Sequence, residues 1–582
     1  MRVYRYSTMA DKQIAKRETR FAWHLPKTDY RDDYHYVKEL VTYTDGSTEP
    51  RTYFLKDYKR LVWVTANAYR DHKNKKEYED KDKLISRKTT ESDLARTTAG
   101  LLGKIHLANN VNAIKEEPYV YGYDIPSTSF IKYTSLKSNE FVQSAYSVAV
   151  LDIETDPKTN IPIMITITYK GKAHCSVIKS FLNRVNDPYR KVKEAIGIYL
   201  PKYKDIDYTL DICDDIVEGL KTTFKVANKW APDFLAVWNV DFDMTRILET
   251  LKARNINPVD VICDQSVPRN LRVCRYKRGM TKKVTASGVV KPVNPSLQWH
   301  TLICTSTFYV IDAMCVYRQL RMAKAEEPSY SLDAILNKEL GSRKLKFEQA
   351  DKYQGLEWHL FMQANYPVEY IVYNLYDCLG VEELDLKTKD LSNSMPSFAG
   401  ITDFMKFNSQ ARKLTDALFL FGIEKGRVIG TAAPPASEDI NEELIDVDDG
   451  EDDDDEEGEV LDPSKFKTLP LKGWIQLLPQ NRLIPNGLKC LSDFPEVRTA
   501  FRGITCDFDA KSSYPSCTQA ANVSKETCVN EVITITGLDE DQFRELNLSV
   551  CLGNANMLEF FEKMFLLPSL ELVDDLIERG EI

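Results

Sequence analysis

At 582 residues the chain exceeds one ordinary domain and predicts roughly three to five folding units. Its 43% hydrophobic and 28% charged residues suit a globular protein, and no apolar run approaches the ~18 residues that a bilayer crossing needs. A net charge of -10 argues at first against a nucleic-acid partner, but residues 438–459 hold about fifteen acidic side chains and no basic one, which leaves about +5 on the remainder.

The twelve cysteines form no C-x-x-C pair and the seven histidines no H-E-x-x-H, which excludes a disulfide framework and a zinc ribbon. Reduced, buried thiols are expected, and any catalytic metal should be held by carboxylates. The first residues, MRVYRYSTMADKQ, lack the apolar stretch of a signal peptide, so a cytoplasmic setting is expected.

In chain order, residues 1–146 read as a mixed N-terminal domain, with strands at Tyr34–Tyr43 and Arg60–Val64 and a very polar stretch from Arg70 to Arg96. Residues 147–394 alternate strands and helices: VAVLDIET, IPIMITITY, helical patterns, then FLAVWNV and DMTRILETLKAR. That alternation predicts an α/β domain. Residues 395–435 read as a helical segment returning to the N-terminal domain. Residues 436–462 are too acidic to bury an apolar face and are expected to be a disordered loop. Residues 463–582 hold a strand at Gly503–Asp509, a turn, and helices such as Met557–Leu567.

Three short segments carry chemistry. In VAVLDIET a strand's alternation puts Val148, Val150, Asp152 and Glu154 on one face, so two carboxylates project together from its end. A D-x-E triplet alone is equally an ordinary solvated strand end. In WNVDFDMTRIL a strand ends at Asn239 and a helix begins, with Met244, Ile247, Leu248 and Leu251 as its apolar stripe and Asp243 in its first turn. An aspartate there also suits a helix cap. In YPVEYIVYNLYDCLGVEEL, Pro367 suits a first helical position and Val368, Val372, Leu375 and Leu379 form a packing stripe. Tyr373 and Asp377 lie one turn apart beside it, which is also how an exposed pair on a helix would look.

Taken in order, D-I-E, N-x-x-F-D and Y-x-x-x-D resemble the three exonuclease motifs of family B DNA polymerases. PSYSLDAILNKELGSRKLKF (Pro328 to Phe347) and VYGYDIPSTSFI (Val120 to Ile131) are similar to the T-even-phage type of that family. The resemblance implies an α/β and α+β multidomain chain with a ribonuclease H-like 3′ to 5′ exonuclease domain. It implies Asp152, Glu154, Asp243 and Asp377 as ligands of two Mg²⁺ ions, with Mn²⁺ as an alternative. Tyr373 is then expected to orient water or phosphate, and Asn239 and Phe242 to position the DNA strand end. Hydrolysis of a phosphodiester by two ions needs several carboxylates of this kind.

In the C-terminal part, GITCDFDAKSSYPS resembles the family's palm motif D-x-x-S-L-Y-P-S, with Ser513 where Leu is usual, and NVSKET (Asn522 to Thr527) continues the likeness. Asp507 and Asp509 share a strand face. The resemblance implies Asp509 as a catalytic metal ligand, Ser512 and Ser513 facing the triphosphate, and Tyr514 excluding a 2′-hydroxyl. The family's later Y-x-D-T-D and K-x-x-x-N-S-x-Y-G patterns do not follow before Ile582. The expectation for residues 463–582 is a partial palm with the start of the fingers: one subunit of a split DNA-directed DNA polymerase. A second chain would then supply fingers, the rest of the palm and thumb, DNA would be a partner, and a sliding clamp a further one. For a viral chain the compartment is the host cytoplasm. A stand-alone 3′ to 5′ exonuclease, and a non-catalytic interaction protein acting through the acidic run, are the other readings.

Overall fold

The computed structural model describes residues 2–4, 12–29, 31–139, 144–284, 290–322, 324, 326–394, 418–431 and 444–446. All of them fall within Met1–Asp452, one of the two units into which the chain divides. They form a mixed α/β structure with several sheets. Among them, no helix is long and apolar enough to cross a membrane.

The N-terminal part is built on a long antiparallel hairpin, Ile14–Leu25 with Tyr34–Tyr43, extended by Thr48–Lys56 and Arg2–Tyr4 into a four-stranded sheet. Its middle strand has the bounds its β-branched and aromatic residues predict. Ile14–Leu25 was not foreseen, because IAKRETRFAWHL is polar over its first half, yet residues 18–23 are all buried. A second, three-stranded sheet pairs Arg60–Thr65 with Leu84–Thr89 and Val120–Tyr121. Residues 418–424 are helical and insert Phe419 against Trp63 and Tyr121, and Arg427–Ile429 pairs with Tyr78–Asp80.

The polar Ile14–Leu25 strand is explained by what it meets. Arg20 and Lys38, both with fully buried side chains, reach Asp233 at 3.0 and 3.1 Å, just ahead of the strand Phe234–Val237. Asp233 also accepts from the Ser147 N–H at 2.9 Å, so every charge in this buried knot has a partner. The knot ties the N-terminal hairpin to the central sheet.

That central sheet has six strands in the order Asp207–Cys213, Lys172–Ile178, Pro162–Tyr169, Val148–Thr155, Phe234–Val237, Tyr309–Asp312. Pro162–Tyr169 runs antiparallel to both its neighbours, whereas Val148–Thr155, Phe234–Val237 and Tyr309–Asp312 are mutually parallel. Alternation along Val148–Thr155 holds as predicted. Ala149, Leu151 and Ile153 pack in a core with Phe224, Met244, Ile247 and Leu251 of two helices, Ile216–Trp230 and Val240–Ala253. Val150 packs on the other face, in the core that holds the 22-residue helix Pro367–Thr388.

That long helix starts with Pro367 at its first turn, as expected. Contrary to an exposed pair, Tyr373 and Asp377 are buried, because from Tyr370 to Val381 the helix is enclosed on every side. The FLAVWNV strand is shorter than predicted: pairing stops at Val237, and Asn239 caps a helix that begins at Val240. The seven described cysteines are buried and form no disulfide among themselves.

One expectation needs correction. Within the acidic run, Leu444–Asp446 is a strand, antiparallel to Cys274–Lys277. Its partner strand is basic, with Arg275 and Lys277. The remainder of the acidic run, and all of the predicted palm with Asp507, Asp509, Ser512, Ser513 and Tyr514, lie outside the described residues.

Candidate metal centre

Asp152 and Glu154 stand at the carboxyl end of the central strand. The helix carrying Asp243 starts from the same end of the adjacent parallel strand, and in sheets of this kind ligands gather there. Across that edge runs the Pro367–Thr388 helix, bringing Asp377. One carboxylate oxygen from each of Asp152, Glu154 and Asp377 lies within 4.8 Å of the others. Asp243 is buried and feels the same field, but is not a member of that close trio.

Electrostatics mark the cluster. Burial, then repulsion from Asp243, Asp377 and Glu154, pushes the Asp152 carboxyl well above its usual range. Burial and Asp377 push Glu154 up to about 7, against a hydrogen bond from Tyr370. Asp243 is raised by burial, then by Glu154 and Asp312. Asp377 is raised by burial although a lysine opposes it.

That lysine is Lys344, whose ammonium donates to Asp377 Oδ2 at 2.5 Å and to the Tyr373 hydroxyl at 3.2 Å. Burial works against its charge, but Asp377, Tyr373 and Asp152 outweigh it and hold the ammonium protonated. Four carboxylates thus share one close cation. Lys344 lies within the PSYSLDAILNKELGSRKLKF segment, but nothing in its spacing singled it out, since it reaches Asp377 across 33 residues.

Two more side chains were missed, and here a signal existed. Tyr370 donates to Glu154 Oε2 at 2.6 Å, and the Asn374 amide donates to Asp152 Oδ2 at 2.6 Å. With Asp377 they sit at i, i+4 and i+7, one stripe of a single helix. Gln363 and His359 in turn contact the Tyr370 hydroxyl at 3.1 and 2.7 Å. The carboxylates are thereby held in place from behind, as ligands of a metal usually are.

The donor set fits a hard divalent cation. It is all oxygen, as Mg²⁺ and Mn²⁺ prefer. Asp377 Oδ1 and Asn374 Oδ1 are buried with no hydrogen-bond partner, which an apolar or fully satisfied site would not leave. Asp152 is only half-buried, so the cluster is open on its side.

Of the remaining predicted residues, Tyr373 is buried beside Trp358, with ring centroids 4.9 Å apart. Burial and Asp377 push its phenol far above the normal range, so it stays a proton donor. Asn239 Oδ1 accepts from the Phe242 N–H and caps the helix that bears Asp243. Phe242 is 45% exposed, has the Arg246 guanidinium 5.6 Å from its ring centroid, and stands next to Asp243. Asp312 was not predicted. It accepts from the N–H groups of Val240 at 3.0 Å and Cys315 at 2.8 Å, fixing where the Asp243 helix starts, and burial pushes it up to about 6.

No protein-family model matches the chain, and no curated protein matches it either.

Proposed function

We propose that this chain carries a two-metal 3′ to 5′ DNA exonuclease of ribonuclease H-like fold, and that it is the N-terminal subunit of a split family B DNA polymerase. The observation that carries the nuclease reading is the convergence of Asp152, Glu154 and Asp377 within 4.8 Å, with Asp243 in the same field. The sheet order supports it: a mixed sheet whose second strand is antiparallel, with acidic residues at the carboxyl end of its first strand, is the arrangement that fold would have.

Divalent ions bound by these carboxylates would activate water and stabilise the leaving 3′ oxygen. The chain's own residues prepare the site for that chemistry. Tyr370 and Asn374 hold Glu154 and Asp152 in fixed orientations, and Asp312 anchors the turn that presents Asp243. Tyr373, kept protonated, donates a hydrogen bond to water or a phosphate oxygen. Lys344 offsets negative charge brought in by the substrate backbone. Phe242 offers an exposed ring on which a terminal base can stack.

The test is Mg²⁺-dependent digestion of single-stranded DNA by the purified chain. Asp152→Ala with Glu154→Ala is expected to keep the fold, judged by circular dichroism, and to lose digestion by about 10³-fold or more. Undiminished digestion refutes the nuclease reading.

The polymerase half of the proposal rests on the resemblance of residues 509–516 to a palm motif. Alone, the chain should add no nucleotides, since a single palm carboxylate cannot hold two ions. Robust primer extension without a second chain would overturn the split. If no second chain restores extension, the stand-alone exonuclease is favoured, because all four carboxylates of the candidate site lie between residues 152 and 377.

A further inference from the structure

Among the described residues one other group of ligand-type side chains is close enough to share an ion: His24, Asp33 and His35, with donor atoms all within 4.8 Å. A single hairpin assembles it. His24 and His35 are directly opposed in the antiparallel register of Ile14–Leu25 with Tyr34–Tyr43, so their rings share one face, 4.9 Å apart. Asp33 precedes His35 by two residues and lies at the end of the connecting loop.

Asp33 accepts from the Ser92 N–H at 3.1 Å and sits 3.0 Å from His24 Nε2, both through Oδ2. Its other oxygen, Oδ1, has no hydrogen-bond partner, and neither has His35 Nδ1. Both residues are buried, at 2% and 0% exposure, so water does not satisfy these atoms. The two orphans face each other at 3.9 Å, too far for a hydrogen bond. Two donors each about 2.0–2.2 Å from one tetrahedral ion stand roughly 3.3–3.6 Å apart, so a small inward shift of either side chain brings the pair into range of a shared ion. His35 Nε2 meets the Ser127 hydroxyl at 2.5 Å, a contact that lets Nε2 carry the proton and leaves the Nδ1 lone pair aimed at Asp33. The His24 side chain is 22% exposed and provides the way in.

We propose that His24, Asp33 and His35 form a second metal site, for a Zn²⁺-class transition ion, with solvent on the His24 side completing a tetrahedron. Two imidazoles and one carboxylate favour such an ion over Mg²⁺, in contrast to the all-oxygen cluster at Asp377. The site clamps the loop of residues 26–33 to the segments that carry Ser92 and Ser127. Its role is structural.

The experiment uses the full chain, stripped with EDTA and titrated with Zn²⁺ by calorimetry and with Co²⁺ by visible absorption. The Asp152→Ala, Glu154→Ala background removes two of the four competing carboxylates, and the wild-type chain in saturating Mg²⁺ gives a second, independent measurement. One equivalent of Zn²⁺ and tetrahedral Co²⁺ bands are expected. His24→Gln, at the partly exposed position, should keep the fold, lose the bands and bind Zn²⁺ at least about tenfold more weakly. Asp33→Asn should do the same. Absence of stoichiometric Zn²⁺ in both measurements, or binding unchanged in the two variants, would overturn the site.

Discussion

Two buried charge clusters among the described residues are opposites. Asp233 sits between Arg20 and Lys38, and these, once its burial is overcome, hold it well below the usual carboxylate range. Among the described residues, Asp152, Glu154, Asp243 and Asp377 share only Lys344 as a close cation, and all four are pushed up. Burial opposes ionisation in both places; the sign of the neighbours decides the outcome. A balanced knot serves stability, whereas an unbalanced cluster of buried carboxylates is one that could hold a cation.

The comparison can be broken in several ways. The Asp152→Ala, Glu154→Ala pair should show the largest effect, the ~10³-fold loss of digestion, while its metal-free thermal midpoint stays level or rises as repulsion is relieved. A falling midpoint would mean that the cluster is structural. Asp233→Ala should do the reverse. It strands two buried cations, so unfolding in urea should reveal a loss of about 3–5 kcal/mol.

Next comes pH. Glu154, with an ordinary value of 4.5, is raised to about 7 in the fold, so the native state binds the extra proton between those values. Metal-free stability should therefore fall as pH rises from about 4.5 through about 7, and Asp312, raised from 3.8 to about 6, adds to the lower part of that fall. Asp233 acts oppositely, its contribution being lost as pH drops below its ordinary 3.8. Thermal midpoints across pH in EDTA, repeated in saturating Mg²⁺, check this: the added ion should flatten the decline, and a flat profile in EDTA would contradict the charge surplus.

Lys344→Met should lower digestion by about 10- to 100-fold, a loss of the size typical for residues supporting metal ligands. Lys344→Arg should recover part of it. Phe242→Ala should act least, raising the KM for single-stranded DNA about fivefold through roughly 1 kcal/mol of lost stacking, with kcat unchanged.

Much of this was local and so legible in the sequence. The period-2 alternation put Asp152 and Glu154 on one strand face, and Pro367 marked where the long helix begins, because strand pleat and helix start depend on near neighbours alone. Asp243 in the first turn followed from the switch in periodicity read after Asn239.

Tertiary structure decided the rest. That Tyr373 and Asp377 are buried depends on what encloses their helix, which its own stripe does not reveal. Lys344 reaches Asp377 across 33 residues, Arg20 reaches Asp233 across 213, and the cross-strand meeting of His24 with His35 requires the register of a hairpin. Such pairings carry no periodic signature, because side chains that pair through space leave no trace in sequence spacing; only the folded chain sets which buried charges are balanced and which are not.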